Sequence, residues 1–302
     1  IWAEPVMPFP LVLRIAVFLL CATLLRPGSA RAASGAGPNI LFLIADDASP
    51  HFGAAYGCNW VRTPHIDRLA RNGIVFENAY TPTAKCSPSR AAILTGRNPW
   101  QLAEAANHWP QFPVQFGTFS EALARAGIAV GSQGKVWGPG IAQTADGQTR
   151  TFANDDWPQS LAADSGLQAG KKPSDIDRVH RIWPDTDEVR RDRLDYAVEV
   201  EAFDTEVGHH LEALEASGEA GNTLVVVTSD NGMPFPRSKG HNYDISNREP
   251  LVMSWPGGIQ NPGRRVAEFV SFIDFAPTFL ELMGVHEHGL APFTGRSLVG
   301  LL

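Results

Sequence analysis

The chain has 302 residues, 44% of them hydrophobic, and a formal net charge of −7. That is long enough for one large α/β core or two smaller ones, and the acidic balance argues against nucleic acid as a partner while leaving a local anion pocket open. With three cysteines, Cys21, Cys58 and Cys86, there is no disulfide framework to organise the fold.

Near the start, Leu11 to Leu25 is an apolar run broken by Arg14, Cys21 and Thr23, followed by small residues up to Ala33. This pattern predicts a signal peptide cleaved near Ala32 or Ala33, with residues 1–33 forming upstream residues and leader. The run is shorter than the about 20 apolar residues a membrane span needs. No stable membrane span is expected, and the protein is expected to be secreted or periplasmic.

The next segment, Asn39 to Ala45, is almost continuously apolar, as a strand buried on both faces should be. It ends in Asp46-Asp47. Thr63 then reads as the N-cap of a helix over 64–71, and strand patterns follow at 74–76 and 128–130. An amphipathic helix spans 118–126, closed by Gly127, and a long one spans 189–216. A second buried strand, Thr223 to Ser229, ends in Asp230-Asn231-Gly232. Further strands are expected at 251–255 and 269–273, and a helix at 274–283. The stretch 141–185 is mostly polar and carries no clear element. Strands alternating with helices predict an α/β fold, a doubly wound, mostly parallel sheet flanked by helices.

Asp46, Asp47, Asp230 and Asn231 all stand at strand C-terminal ends, the edge where open α/β sheets bind ligands. Side by side, they would present hard oxygen donors suited to Ca²⁺ or Mg²⁺, with the flexible carboxylate set favouring calcium. Each motif alone is also an ordinary turn sequence. Cys58 reads as a small buried hydrophobe.

The stretch Cys86-Ser87-Pro88-Ser89-Arg90-Ala91-Ala92-Ile93-Leu94-Thr95-Gly96 is far more specific. Pro88 fits the first turn of a helix and places residue 86 at its N-terminus, where N–H groups favour an anion. The pattern Cys-x-Pro-Ser-Arg, two small residues, two apolar residues and Thr-Gly resembles the signature of the type I sulfatases at every fixed position. Asn39 to Asp47, Thr63 to Ala70, Gly134-Lys135, Ser229 to Gly232, and Lys239 ahead of Tyr243-Asp244 resemble further family stretches in the family's order.

The resemblance implies an alkaline-phosphatase-like sulfatase domain over 34–302 and removal of sulfate from a sulfated saccharide. It implies that Cys86 is oxidised to formylglycine by a separate formylglycine-generating or sulfatase-maturing enzyme. One hydroxyl of the aldehyde hydrate would attack sulfur and the other would later expel sulfate, splitting one hard step into two. Asp46, Asp47, Asp230, Asn231 and residue 86 would bind one Ca²⁺, Arg90 would steady the hydrate, and Lys135 and Lys239 would hold sulfate oxygens. His241 is a further substrate-binding candidate, and His108 a pocket residue without a role.

Met233 to Arg237, Gly96 to Asn98, Gln101 to His108 and Gly134 to Gly140 resemble the heparan N-sulfatase branch, which implies N-sulfoglucosamine as substrate. Four departures stand against the family pattern. Trp137 replaces a pocket histidine, and Ser246 replaces a glycine. No strand ending in Pro-His is evident between Trp157 and Trp183, and the role of its histidine does not transfer to His180. Relatives also continue past the equivalent of Leu302 into a smaller C-terminal subdomain. A phosphatase or phosphonate monoester hydrolase of the same superfamily, and an inactive glycan-binding fragment, are the alternatives.

Overall fold

The computed structural model describes residues 16–20, 37–152 and 163–302. One mixed seven-stranded sheet organises them. Its strands are β1 (Ala16–Leu20), β2 (Asn39–Ala45), β3 (Ile74–Tyr80), β5 (Gly131–Gln133), β7 (Thr223–Ser229), β8 (Leu251–Ser254) and β9 (Arg264–Ser271), in the order β5-β1-β2-β7-β8-β3-β9. Two short strands, β4 (Gln111–Phe112) and β6 (Ile141–Ala142), pair separately.

Strand β2 is buried at every position because both of its faces are covered. Ile40, Phe42 and Ile44 enter one core, and Leu41, Leu43 and Ala45 enter the other, as the two-residue period of a strand requires. Strand β7 divides in the same way, with Leu224 and Val226 against Val225 and Val227. The first core is closed by α2 (Cys86–Thr95), α3 (Phe119–Arg125) and α7 (Phe275–Leu282). Phe42 meets Phe275 and Phe279 edge-on there, at 5.1 and 5.2 Å. The second core is closed by α1 (Pro64–Arg71) and the long α5 (Asp187–Ser217). The short helices α4 (Ser165–Gln168) and α6 (Asp244–Asn247) lie in the connections.

The α/β architecture is as expected, but the sheet is mixed rather than mostly parallel. Among the described residues of this sheet only β2/β7 and β3/β9 pair in parallel, while β8 runs antiparallel to both β7 and β3. The β7–β8 connection carries only the four-residue α6, so no crossover helix returns the chain to the opposite edge. The expected strand at 128–130 falls instead at β5, where Gly131, Ser132 and Gln133 are exposed and carry no apolar signal. Strand β9 begins at Arg264 and has ended by Ser271, displacing the strand expected at 269–273.

The expected leader lies largely outside the described residues. Its described part, Ala16–Leu20, is paired antiparallel with β2 and β5. Residues 153–162 of the unassigned stretch are also outside; its first described part carries β6 (Ile141–Ala142), and no strand forms in its second, 163–185. Among the described residues no helix is long and apolar enough to cross a membrane.

One helix cap differs from expectation. Thr63 occupies the N-cap of α1, but its side chain makes no capping hydrogen bond. Asp204 of α5 does this instead, accepting from Ile66 N–H at 2.8 Å and His65 N–H at 3.2 Å. A long-range carboxylate thus satisfies two of the orphan donors of α1 and complements its dipole. Asp204→Ala should therefore cost about 1–2 kcal/mol. The urea midpoint should fall with an unchanged slope; an unchanged midpoint contradicts the assignment.

Candidate active site

Strands β2 and β7 are parallel and in register from Asn39↔Thr223 to Ala45↔Ser229. The next residues, Asp46-Asp47 and Asp230-Asn231, therefore emerge together at one sheet edge. Asp230 N–H donates to Ala45 O, and Asp47 N–H donates to Asp230 Oδ1, each at 3.1 Å. Asp47 adopts a left-handed conformation (φ 60°), which turns the chain sharply at the strand end. Gly232 is required by packing, since a methyl there would lie 2.4 Å from Ile245 O.

Helix α2 begins at Cys86, with Pro88 in its first turn as expected. Ligand atoms of Asp46, Asp47, Cys86 and Asp230 all lie within 4.8 Å of one another. Cys86 Sγ stands 3.7 Å from Asp47 Oδ1. The helix is tied to β7 by Ser89 Oγ, which accepts from Thr81 Oγ1 and donates to Asp230 O at 2.6 Å. Ser89 belongs to the Cys86–Gly96 motif, but its relay to Thr81 leaves no spacing pattern in the sequence.

Three cations balance the three carboxylates. Arg90, buried, donates from Nε to Asp230 Oδ2 at 2.6 Å and from Nη1 to the carbonyl of Lys135. Lys135 Nζ donates to both oxygens of Asp46, at 2.7 and 2.9 Å. Lys239 Nζ donates to Asp47 Oδ2 at 2.7 Å. Lys239 reaches the cluster because its loop folds back, with Lys239 N–H on Met233 O and Gly240 N–H on Ala84 O. His241, two residues on, is exposed and packs against Tyr243 rather than into the cluster. The structure thus brings together every predicted site residue except His241.

The electrostatics are those of crowded, buried charge. Burial would raise Asp46, but Lys135 and Arg90 outweigh it and hold its carboxyl well below the ordinary range. Burial and the neighbouring Asp46 push Asp47 up against the opposing Lys239. Burial also drives Asp230 up, assisted by Asp46 and opposed by Arg90 and Lys135. Burial first, then the three aspartates, push the Cys86 thiol well above its usual value, so an unmodified thiolate nucleophile is disfavoured here. Cys58 and Cys86 are both free, and burial raises Cys58 to about 11.

The residues present fit a hard divalent cation. The donors are carboxylate and amide oxygens. Asn231 Nδ2 donates to Asp47 Oδ1 at 2.7 Å, while its Oδ1 is shielded from solvent without a hydrogen-bond partner. An orphaned buried acceptor beside three packed carboxylates is an arrangement that a cation would satisfy.

A family model described as Sulfatase matches residues 38–165 and 141–285. The chain belongs to the sulfatase family. Among curated relatives, N-sulphoglucosamine sulphohydrolase of Homo sapiens is 29% identical, with the match covering 93% of this chain and 68% of the relative. An ulvan-active sulfatase of Formosa agariphila is 26% identical, over 82% of this chain and 52% of the relative. The chain therefore spans roughly half to two-thirds of these two sulfatases. The fold is also that of a solved phosphonate monoester hydrolase of Agrobacterium radiobacter, with a TM-score of 0.62, 19% identity, and coverage of 88% of this chain and 77% of that one.

Within this sulfatase site, Glu249 had no sequence signal. It is buried, and both carboxyl oxygens lack hydrogen-bond partners. Burial first, then Asp230, Asp47 and Asp244, hold its pKa well above the ordinary 4.5. The folded protein keeps a proton that the unfolded chain releases, so this group lowers stability as pH rises above that value. Glu249→Gln should match wild type at about pH 4 and gain on it progressively at higher pH. Denaturant unfolding across that range checks this; a parallel pH profile for the two proteins contradicts it.

Proposed function

We propose that this protein hydrolyses a sulfate ester or sulfamate on a sugar, through a formylglycine formed at Cys86 and one bound calcium ion. The observation that carries this reading is the gathering of Asp46, Asp47, Asp230 and Cys86 within 4.8 Å, at the N-terminus of a helix bearing the Cys-x-Pro-Ser-Arg motif. Asp46, Asp47, Asp230, Asn231 and residue 86 would hold the calcium. When bound, these groups supply a nucleophilic oxygen at position 86 and cationic charge on a sulfate oxygen.

The chain's own residues do the rest. Arg90 fixes Asp230 and is itself held by the carbonyl of Lys135. Lys135 and Lys239 reach the cluster from two different loops, so their ammonium groups can clamp an anion from two sides. Fixed charge aimed at a developing anion in a partly buried pocket stabilises the transition state without reorganisation. The N–H groups opening α2 add their dipole to the same point. His241 stands at the exposed rim, suited to the sugar rather than the sulfate.

N-sulfoglucosamine is the substrate this reading favours, supported by the human relative's match over 93% of this chain. Residues 34–302 form the catalytic domain in this reading, a maturing enzyme is its required partner, and the leader exports it. The test is release of inorganic sulfate from N-sulfoglucosamine, with calcium, after co-expression with a formylglycine-generating enzyme. Wild type should release sulfate, and Cys86→Ala should fall to background. Equal release by both proteins, or no release from any sulfated sugar despite formylglycine at 86, overturns the proposal.

A further inference from the structure

Trp137 occupies the position at which the family resemblance places a pocket histidine, and its indole is fully buried. Its Nε1 donates to Ser87 O at 2.9 Å, and its ring meets Phe112 edge-on at 5.1 Å. It therefore supports the first turn of α2 from below and does not face the pocket.

That packing has a second effect. Phe112 belongs to β4, which pairs with β6 directly after Gly140. Ile141 N–H donates to Pro110 O at 2.9 Å. A methyl at Gly140 (φ 156°) would lie 2.5 Å from that same oxygen, so the two segments touch backbone to backbone. The loop that carries Lys135 is thereby clamped to the segment around Pro110. Two residues before Pro110 stands His108. Its ring is half-buried, and its Nε2 is shielded from solvent with no hydrogen-bond partner. Its charged neighbours are Lys239, Lys135, Lys85 and Asp46. His51, His180 and His210 are lowered first by burial, and the charged groups they face are different: Arg193, His180 and Arg248 for His51, Arg181, Arg193, Arg178 and Asp244 for His180, and Glu206 and His209 for His210.

We propose that His108 is the general acid of this site, protonating the sugar's leaving atom in the role that the resemblance gives to the histidine of the Pro-His strand. The assignment rests on the sulfohydrolase reading above. As the S–O or S–N bond breaks, its electron pair stays on the sugar oxygen or nitrogen. The His108 Nε2 proton moves to that atom while sulfur bonds to the attacking oxygen. The attacking hydroxyl's proton leaves to solvent, and His108 Nε2 regains a proton from water that enters once the sugar has left.

Burial first, then Lys239, Lys135 and Lys85, lower the His108 pKa below 6.5, with Asp46 opposing them. An acid must be protonated to act, so kcat/KM should fall as pH rises through that lowered value. A bound sulfate between the lysines offsets their charge, so the same limb in kcat should lie at higher pH.

The experiment compares the matured, calcium-loaded wild type with His108→Gln and His108→Ala. The substrates are N-sulfoglucosamine and nitrophenyl sulfate, whose phenolate departs without a proton. Loss of a general acid costs about 10²–10⁴ in kcat on the sugar. The loss on nitrophenyl sulfate should be at least about ten-fold smaller, because leaving-group protonation matters less there. The falling limb of the pH profile should also vanish in both variants. Turnover of nitrophenyl sulfate shows that each variant is folded and matured. Equal losses on the two substrates with the pH limb retained, or no loss on either, overturn the assignment to His108 alone. A wild type inert on both substrates overturns the sulfohydrolase reading, and this assignment with it.

Discussion

Three carboxylates share one small, largely buried volume at the end of the sheet, and everything around them serves to make that tolerable. Burying one uncompensated carboxylate is costly, and burying three side by side more so. The parallel register of β2 and β7 forces the crowding, because it delivers Asp46-Asp47 and Asp230-Asn231 to adjacent positions. The structure answers with Arg90 from α2 and with Lys135 and Lys239 from two loops. Backbone donors, the α2 dipole and the amide of Asn231 add to this. This charge pattern is what the proposed reading uses: carboxylates that would bind metal, and lysines that would turn toward an anion if metal took their place.

Much of this was legible in the sequence, for a physical reason. Strands covered on both faces must be apolar throughout, so β2 and β7 stand out as continuous runs, and the acidic residues that end them are conspicuous. The Cys86 to Gly96 motif is local and its helix is local, so its geometry follows from its residues. Elements fixed by distant partners were less legible. The cap of α1 comes from Asp204, 141 positions beyond Thr63, which no local pattern announces. Strand β5 consists of exposed Gly, Ser and Gln, and exists only because a neighbouring strand offers its edge. The mixed strand sense follows from the short content of the β7–β8 connection, which is visible only once the strands are placed. Glu249 and the Ser89 relay depend on the folded surroundings alone.

The departures from the family pattern acquire a structural meaning. Trp137 is a packing residue that fills the space beneath α2, and the aromatic cluster it forms with Phe112 and Phe152 anchors the segment bearing His108. Ser246 is buried, and its carbonyl accepts from Gly232 N–H, so the extra hydroxymethyl group sits within the loop that shapes Asp230-Asn231. These changes leave the charge cluster intact.

The central claim is that the strand-end carboxylates form a calcium site. Calorimetric titration of calcium into the purified protein tests it most directly, beside Asp47→Asn and Asp230→Asn. The account predicts one calcium bound per wild-type chain and none in either variant. A wild type that does not bind calcium, or variants that bind it as wild type does, would contradict it.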